Sequence, residues 1–197
     1  MCSDSRVDHY LANGRTRGIA ALIEGYFAAM WFGWAQANPP SWLVAPLTVA
    51  SVLAVGLAVV GVVVTIRAHG QRTPLRNPAV RRTYLIIVGV EFATLGAGAG
   101  LLAATGLSRW ICVWVCAGVG LHFLPLSRAL GRLLLVPLGL LVTAVAIAAL
   151  IVGLMTTVTP STITGVGAGL CLLVAAALTL TNLTHPTAAG AAGARTT

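Results

Sequence analysis

Six apolar stretches follow one another along this chain of 197 residues, separated by short polar segments. Each is close to the roughly 20 residues that an α-helix needs to cross the hydrocarbon core of a bilayer. The stretches are continuously apolar rather than alternating, which favours helices over the strands of a barrel. We therefore predict an all-α integral membrane protein with six transmembrane helices, near Gly18–Ala37, Trp42–Ile66, Thr83–Thr105, Arg109–Leu126, Gly131–Leu154 and Thr162–Leu183.

The composition agrees with this prediction, because 58% of the residues are hydrophobic and only 8% are charged. A soluble domain would carry about a quarter charged residues. The net charge is +8, and all 12 basic residues are arginines. They lie between the apolar stretches rather than along one face, so we predict no nucleic-acid partner and explain the charge by membrane topology.

The arginines also predict the orientation of the chain. By the positive-inside rule, the arginine-rich segments are cytoplasmic, and only Arg109 lies on the opposite side. We expect three helical hairpins in the cytoplasmic membrane, with both termini in the cytoplasm. The expected parts are a tail of residues 1–17, one transmembrane domain of residues 18–183 and a flexible tail of residues 184–197. The arginines assigned to the cytoplasmic side are Arg6, Arg15, Arg17, Arg67, Arg72, Arg76, Arg81, Arg82, Arg128, Arg132 and Arg195.

The first apolar stretch has some features of a secretory signal, since arginines precede it and it ends in Ala35-Gln36-Ala37. An acid inside the apolar region and two prolines at the presumed cleavage point argue against cleavage. We expect this stretch to be retained as the first span.

Two of the four acidic residues are placed inside apolar stretches, at Glu24 and Glu91, and the other two are Asp4 and Asp8. A charged group in the bilayer costs at least a few kcal/mol, so an intramembrane carboxyl group is a candidate functional group. His122 is the matching candidate in the fourth span. Counting 1.5 Å per residue places Glu24, Glu91 and His122 roughly 7–12 Å inside the cytoplasmic boundary, in one layer.

A partner is expected for a carboxyl group in this environment. Glu91 and His122 lie on neighbouring helices, so we predict a hydrogen bond between them. Glu24 would then be more isolated and protonated, and it would act as a proton donor. The alternative for Glu91 and His122 is a structural one, in which the pair only holds two helices together.

Aromatic side chains are expected near these groups. Phe27 and Trp31 follow Glu24 on one helix face, and Trp114 lies on the same face of the fourth span as His122. An acid below aromatic rings would suit a cationic intermediate in an apolar pocket. The alternative is ordinary packing against lipid or the core. Cys112 and Cys116 lie one helical turn apart with no histidine beside them, so we expect them to pack, and we predict no metal and no cofactor.

The small size, the six helices, the acids Glu24 and Glu91 and the aromatic lining resemble the small integral-membrane terpene cyclases of fungal meroterpenoid and actinobacterial indole-terpenoid pathways. The segment Gly120-Leu121-His122-Phe123-Leu124-Pro125-Leu126 looks like a signature, although we assign no named activity to it. The resemblance implies metal-independent cyclisation of a linear prenyl or prenylated substrate, started by a proton. An acid expected in the C-terminal third of the fungal proteins has no counterpart here, since none follows Glu91.

Two functions are therefore carried forward. In the first, Glu24 protonates an isoprenoid, Phe27, Trp31 and Trp114 stabilise the cation, and the pair of Glu91 and His122 removes the final proton. In the second, the protein exports hydrophobic or cationic compounds and Glu24 exchanges a proton for the substrate. A structural or regulatory membrane protein is the third possibility, and the sequence leaves the oligomeric state open.

Overall fold

The structure is a computed structural model that describes residues 13–71, 73 and 76–181. These residues form six α-helices and one short 3-10 turn, Ser108–Trp110, and contain no strand. The all-α prediction is confirmed. Residues 1–12 and the predicted tail of residues 184–197 lie outside the described part of the chain. The helices are α1 (Gly14–Ala35), α2 (Ser41–Arg67), α3 (Pro78–Ala104), α4 (Ile111–Leu130), α5 (Leu135–Met155) and α6 (Pro160–Thr181).

Five of these helices, α2 to α6, are long and apolar enough to cross a membrane, with α4 counted together with the turn before it. They define a multi-pass membrane protein. Helix α1 is not among the five, although it has 22 residues. Its two arginines, its glutamate and its several glycines and aromatic residues make it less apolar than the other helices.

Two helices begin earlier than their apolar stretches predict, and asparagine caps explain the difference. Asn13 precedes α1 and accepts a hydrogen bond from the backbone N–H of Arg15 at 3.0 Å. Asn77 precedes α3 and accepts one from Ala79 at 3.0 Å, with Pro78 in the first turn. A side-chain cap stabilises the first helical turn even when the residues of that turn are polar. A prediction from apolar residues alone therefore places the start of the helix too late.

The helices pack as neighbours in the spatial order α3, α4, α5, α6, α1, α2, with further contacts from α6 to α4 and α2. Small residues line the contact between α1 and α6, where Gly165 lies against the backbone of Trp31 and Ala35. The core lies where α1, α4, α5 and α6 meet. Its most buried members include Ala28, Phe32, Cys116, Val142, Ala149, Ala168 and Ala176.

The cytoplasmic end predicted for α1 lies beside the end of α2. The guanidinium group of Arg15 donates hydrogen bonds to the backbone oxygens of His69 and Gln71, at 3.1 and 3.3 Å. Further along, Gly18 meets Thr65 and Gly25 meets Ala58, so α1 and α2 run antiparallel.

Replacement of Gly61 by alanine is expected to destabilise the contact between α1 and α2. A β-carbon at Gly61 would lie 2.5 Å from the backbone nitrogen of Leu22 and 2.8 Å from the carbonyl oxygen of Gly18. Overpacking of this kind costs about 1–3 kcal/mol, which we expect to see as a lower thermal unfolding midpoint in detergent. The matched control is Gly56→Ala in the same helix, because no atom lies within 4 Å of the added carbon there. An equal loss of stability in both variants would contradict this account.

Candidate functional site: a carboxyl–imidazole pair in an apolar groove

The side chains of Glu91 in α3 and His122 in α4 are in contact across these two neighbouring helices. The Nδ1 atom of His122 lies 3.2 Å from Oε2 of Glu91, and the two side chains are only 9% and 14% exposed. A carboxyl group and an imidazole this close together can exchange a proton, and either group can hold or release one. The pair can therefore act as an acid and as a base.

The antiparallel contact of α3 and α4 positions this pair. Leu95 of α3 packs where Gly118 has no side chain, and the indole ring of Trp114 packs where Gly98 has none. These contacts show that α3 and α4 run in opposite directions, because residues later in α3 contact residues earlier in α4. The two glycines bring the helices close together, and Gly98 leaves room for the indole on the same side as Glu91.

A groove of about 440 Å³ lies along this contact. Its wall is apolar apart from Glu91, His122 and Thr94, and it includes the ring of Trp114. Ile86, Val90 and Leu121 line it and are each more than half exposed, so the groove opens sideways from the helix pair. In a bilayer, a hydrophobic molecule could enter it from the lipid. The remaining lining residues are Ile87, Leu95, Ala117, Gly118 and Pro125.

Glu24 is buried, and the prediction that it is isolated is wrong. The hydroxyl of Thr179 in α6 donates a hydrogen bond to Oε2 of Glu24 at 2.9 Å. The guanidinium group of Arg132, in the segment between α4 and α5, lies 3.7 Å from Oε1. The side chains of Arg132 and Glu24 are 14% and 8% exposed, so this ion pair is largely shielded from the surroundings of the protein. Together the two contacts connect α1 to α6 and to the segment that precedes α5.

Sequence reasoning missed both partners of Glu24. Arg132 had been counted only as a cytoplasmic charge, and Thr179 as one more residue of an apolar span. The one available signal was Gly131, which ends α4 in the left-handed region at φ 65° and so sets the direction of the chain at Arg132. No local pattern could have shown that this turn reaches α1.

The predicted site residues are divided among three cavities that described residues line. Glu24 lines a cavity of about 170 Å³ between α5 and α6. Phe27 and Trp31 line another, of about 200 Å³, together with Met30, Trp34, Val115 and Val119. Trp114 lies in the groove with Glu91 and His122. Each of these three cavities therefore holds only a part of the predicted site.

Three of the four cysteines, Cys112, Cys116 and Cys171, lie in helices that surround the core, and Cys2 lies outside the described residues. Cys112 and Cys116 are buried, and the thiol of Cys116 lies 3.4 Å from the carbonyl oxygen of Val142. Together with Cys171 they are free thiols. Among residues 13–71, 73 and 76–181, no group of three His, Cys, Asp or Glu side chains is placed to hold a metal ion.

The helices and the site together define a multi-pass α-helical membrane protein with a carboxyl–imidazole pair in a groove that opens sideways. Comparison with protein-family models, with curated proteins and with solved structures finds no match. The function therefore has to be argued from the site itself.

Proposed function

We propose that the protein is a membrane-bound terpene cyclase, which isomerises a linear isoprenoid by acid–base chemistry in the groove between α3 and α4. The observation that supports this proposal is the pair of Glu91 and His122 in the wall of an apolar groove of about 440 Å³. Such a groove suits a hydrocarbon chain, and the pair is the only proton-exchanging group among its lining residues.

The proposed reaction begins with proton transfer from the pair to a terminal alkene of the substrate. The new C–H bond leaves a tertiary carbocation, and an internal alkene attacks this cation to close a ring. The ring of Trp114 would stabilise the positive charge through its quadrupole. The pair then takes a proton from the carbon next to the final cation, which forms a new alkene. One proton enters and one leaves, so the product is an isomer of the substrate and no oxidant, reductant or metal is consumed.

Both proton steps are placed at the same pair, because Glu24 lies in another of the described cavities. An ion pair with Arg132 also suits a charged carboxylate better than a free acid. The role of Glu24 as the proton donor stays a prediction, and the variants in the Discussion test it.

We infer that α1 is the sixth span, because it packs between α2 and α6 and both are long and apolar enough to cross a membrane. With six spans arranged as three hairpins, both termini would lie in the cytoplasm. The distribution of arginines supports this orientation and a location in the cytoplasmic membrane. A substrate made in the cytosol would then reach the groove from the inner leaflet.

Proton-coupled export is the second candidate, and the buried pair of Glu24 and Arg132 favours it. A carboxylate that exchanges a proton can release and regain an arginine partner, and this change would loosen the contact of α1 with the segment that precedes α5. Glu24 would then take part in transport and not in a catalysed reaction.

The experiment that tests the proposal is extraction of lipophilic metabolites from cells that express the protein. The cells are supplied with linear and epoxidised prenylated aromatic compounds and with prenyl alcohols. Under the proposal, mass spectrometry shows a product of unchanged mass and new retention time. Absence of an isomer from every substrate would contradict the cyclase. A retention of hydrophobic cations that depends on the proton gradient would assign the protein to transport.

Replacement of His122 by phenylalanine is expected to reduce the yield of the isomer by about a hundredfold, because Glu91 loses the group with which it exchanges its proton. The aromatic side chain keeps the bulk that packs beside Phe123. The measurement is product yield per amount of inserted protein. Phe123→Leu is the control, because Phe123 is next to His122 and is not among the groove's lining residues. Unchanged yield and product identity in the His122 variant would contradict a role for the imidazole in catalysis.

A further inference from the structure

We propose that Arg82 and Arg128 form a binding site for a phosphate or diphosphate head group at one end of the groove. The substrate would then be a polyprenyl phosphate ester whose chain lies in the groove and whose head group is retained. The identity of this molecule as a substrate rests on the proposed function, whereas its binding can be measured independently of any reaction.

The register of the two helices places both arginines at the same end of the groove. On α3, Ile86 and Val90 line the groove at intervals of four residues, and Arg82 lies one such interval earlier. On α4, Leu121 and Pro125 line it, and Arg128 follows three residues after Pro125. Residues three or four apart share a helix face, so each lining face continues to an arginine.

The paired contacts of α3 and α4 show that Arg82 and Arg128 lie at nearly the same height along the helix axes. Three pairs of residues face each other across the two helices: Glu91 with His122, Leu95 with Gly118, and Gly98 with Trp114. In each pair the two residue numbers add to about 213, as expected for helices that run antiparallel. By this rule Arg128 lies opposite Leu85, which is three residues from Arg82. At 1.5 Å per residue, the two arginines differ by only about 5 Å along the helix axis.

The charges of both arginines are free for an anion, as far as the described residues show. Both side chains belong to exposed residues. The two acids in the described ranges are engaged elsewhere, Glu24 with Thr179 and Arg132, and Glu91 with His122. Arginine binds phosphate through two parallel N–H donors. Two arginines at nearly the same height on neighbouring helices are therefore a suitable site for a phosphate or diphosphate.

The distance to the reacting pair limits the length of the chain. Arg82 lies nine residues before Glu91 and Arg128 lies six residues after His122, which corresponds to about 14 and 9 Å along the helices. A single isoprene unit is too short to join the head-group site to the pair. The reacting alkene would therefore belong to a chain of several units, far from the phosphate ester, and no P–O bond would break.

The test measures binding of farnesyl diphosphate and of farnesol to the purified full-length protein in phosphatidylcholine nanodiscs. Each of Arg82→Gln and Arg128→Gln is expected to weaken binding of the diphosphate by about tenfold, and the double variant by about a hundredfold. Binding of farnesol should not change. The matched control is Arg81→Gln, an exposed neighbour in the same helix that loses the same charge but is rotated by about 100°. It should change the affinity by less than about twofold.

Three results would overturn the head-group site. The first is an equal loss of affinity in Arg81→Gln, which would indicate a general effect of membrane-surface charge. The second is equal binding of farnesyl diphosphate and farnesol. The third is displacement of farnesyl diphosphate by an equal concentration of dioleoylphosphatidylglycerol, which would make this a phospholipid site.

The experiments can contradict the cyclase proposal and the head-group site independently of each other. Tight, arginine-dependent binding of farnesyl diphosphate without an isomeric product would support the head-group site and contradict the cyclase. Isomerisation of neutral prenylated compounds, together with binding of farnesyl diphosphate that is unchanged in the Arg82 and Arg128 variants, would support the cyclase and contradict the head-group site.

Discussion

Replacement of Glu91 by glutamine is expected to abolish formation of the isomeric product. The amide cannot deliver or accept a proton in the reaction, and loss of a general acid or base typically slows a reaction by about 10² to 10⁴-fold. The shape of the side chain is kept, and a glutamine can still hydrogen-bond to His122, which lies 3.2 Å from the carboxylate oxygen. We therefore expect the thermal unfolding midpoint to stay near that of the wild type. The measurements are product yield and thermal unfolding in the same detergent.

The neighbouring variant Thr94→Val is the control for this experiment, since Thr94 lines the same groove and carries no proton-exchanging group. It should keep most of the activity. If the Glu91 variant were fully active, the pair would serve only to hold α3 and α4 together. That result would contradict the proposed cyclase function.

Replacement of Glu24 by glutamine is expected to lower the free energy of unfolding by about 3 kcal/mol. The variant leaves the largely shielded guanidinium group of Arg132, only 14% exposed, without its carboxylate, and breaking such an ion pair from one side is strongly destabilising. The double variant Glu24→Gln with Arg132→Gln removes both charges, and we expect it to recover most of the lost stability. The measurement is unfolding by sodium dodecyl sulfate in mixed micelles, followed by circular dichroism.

The activity of the double variant decides what Glu24 does. A stable and active double variant would assign Glu24 to the fold. A stable but inactive one would support its predicted role as the proton donor or as the exchanging group of an exporter. A Glu24 variant as stable as the wild type would contradict any contribution of the ion pair to stability.

The pair of Glu91 and His122 shows how far a local pattern can predict a site. The two residues lie in consecutive apolar stretches joined by a short connection, so the helices had to be neighbours and only their depths had to agree. The predicted contact is present at 3.2 Å. The same counting of depth put Glu24 in the same layer, but depth does not determine which helices are neighbours.

Trp31 illustrates the same limit. It follows Glu24 by seven residues on one helix, which predicts that both face the same way. In the structure, Trp31 lines a cavity with Val115 of α4, whereas Glu24 lines one between α5 and α6. Helix α1 therefore has different neighbours at different heights along its axis. The face of one helix could not supply that information.

The sequence by itself determined the all-α class and the approximate extent of the helices, because each helix satisfies its own backbone hydrogen bonds and the bilayer requires apolar side chains over a set length. It also determined that two carboxyl groups and one imidazole lie within those helices. Only the tertiary structure decided the partners of these groups. The contact of Arg132 and Thr179 with Glu24 joins residues more than 100 positions apart, through the packing of α1 against α6. That packing depends on the fit of small residues such as Gly165 against a distant backbone, and no local period in the sequence records it.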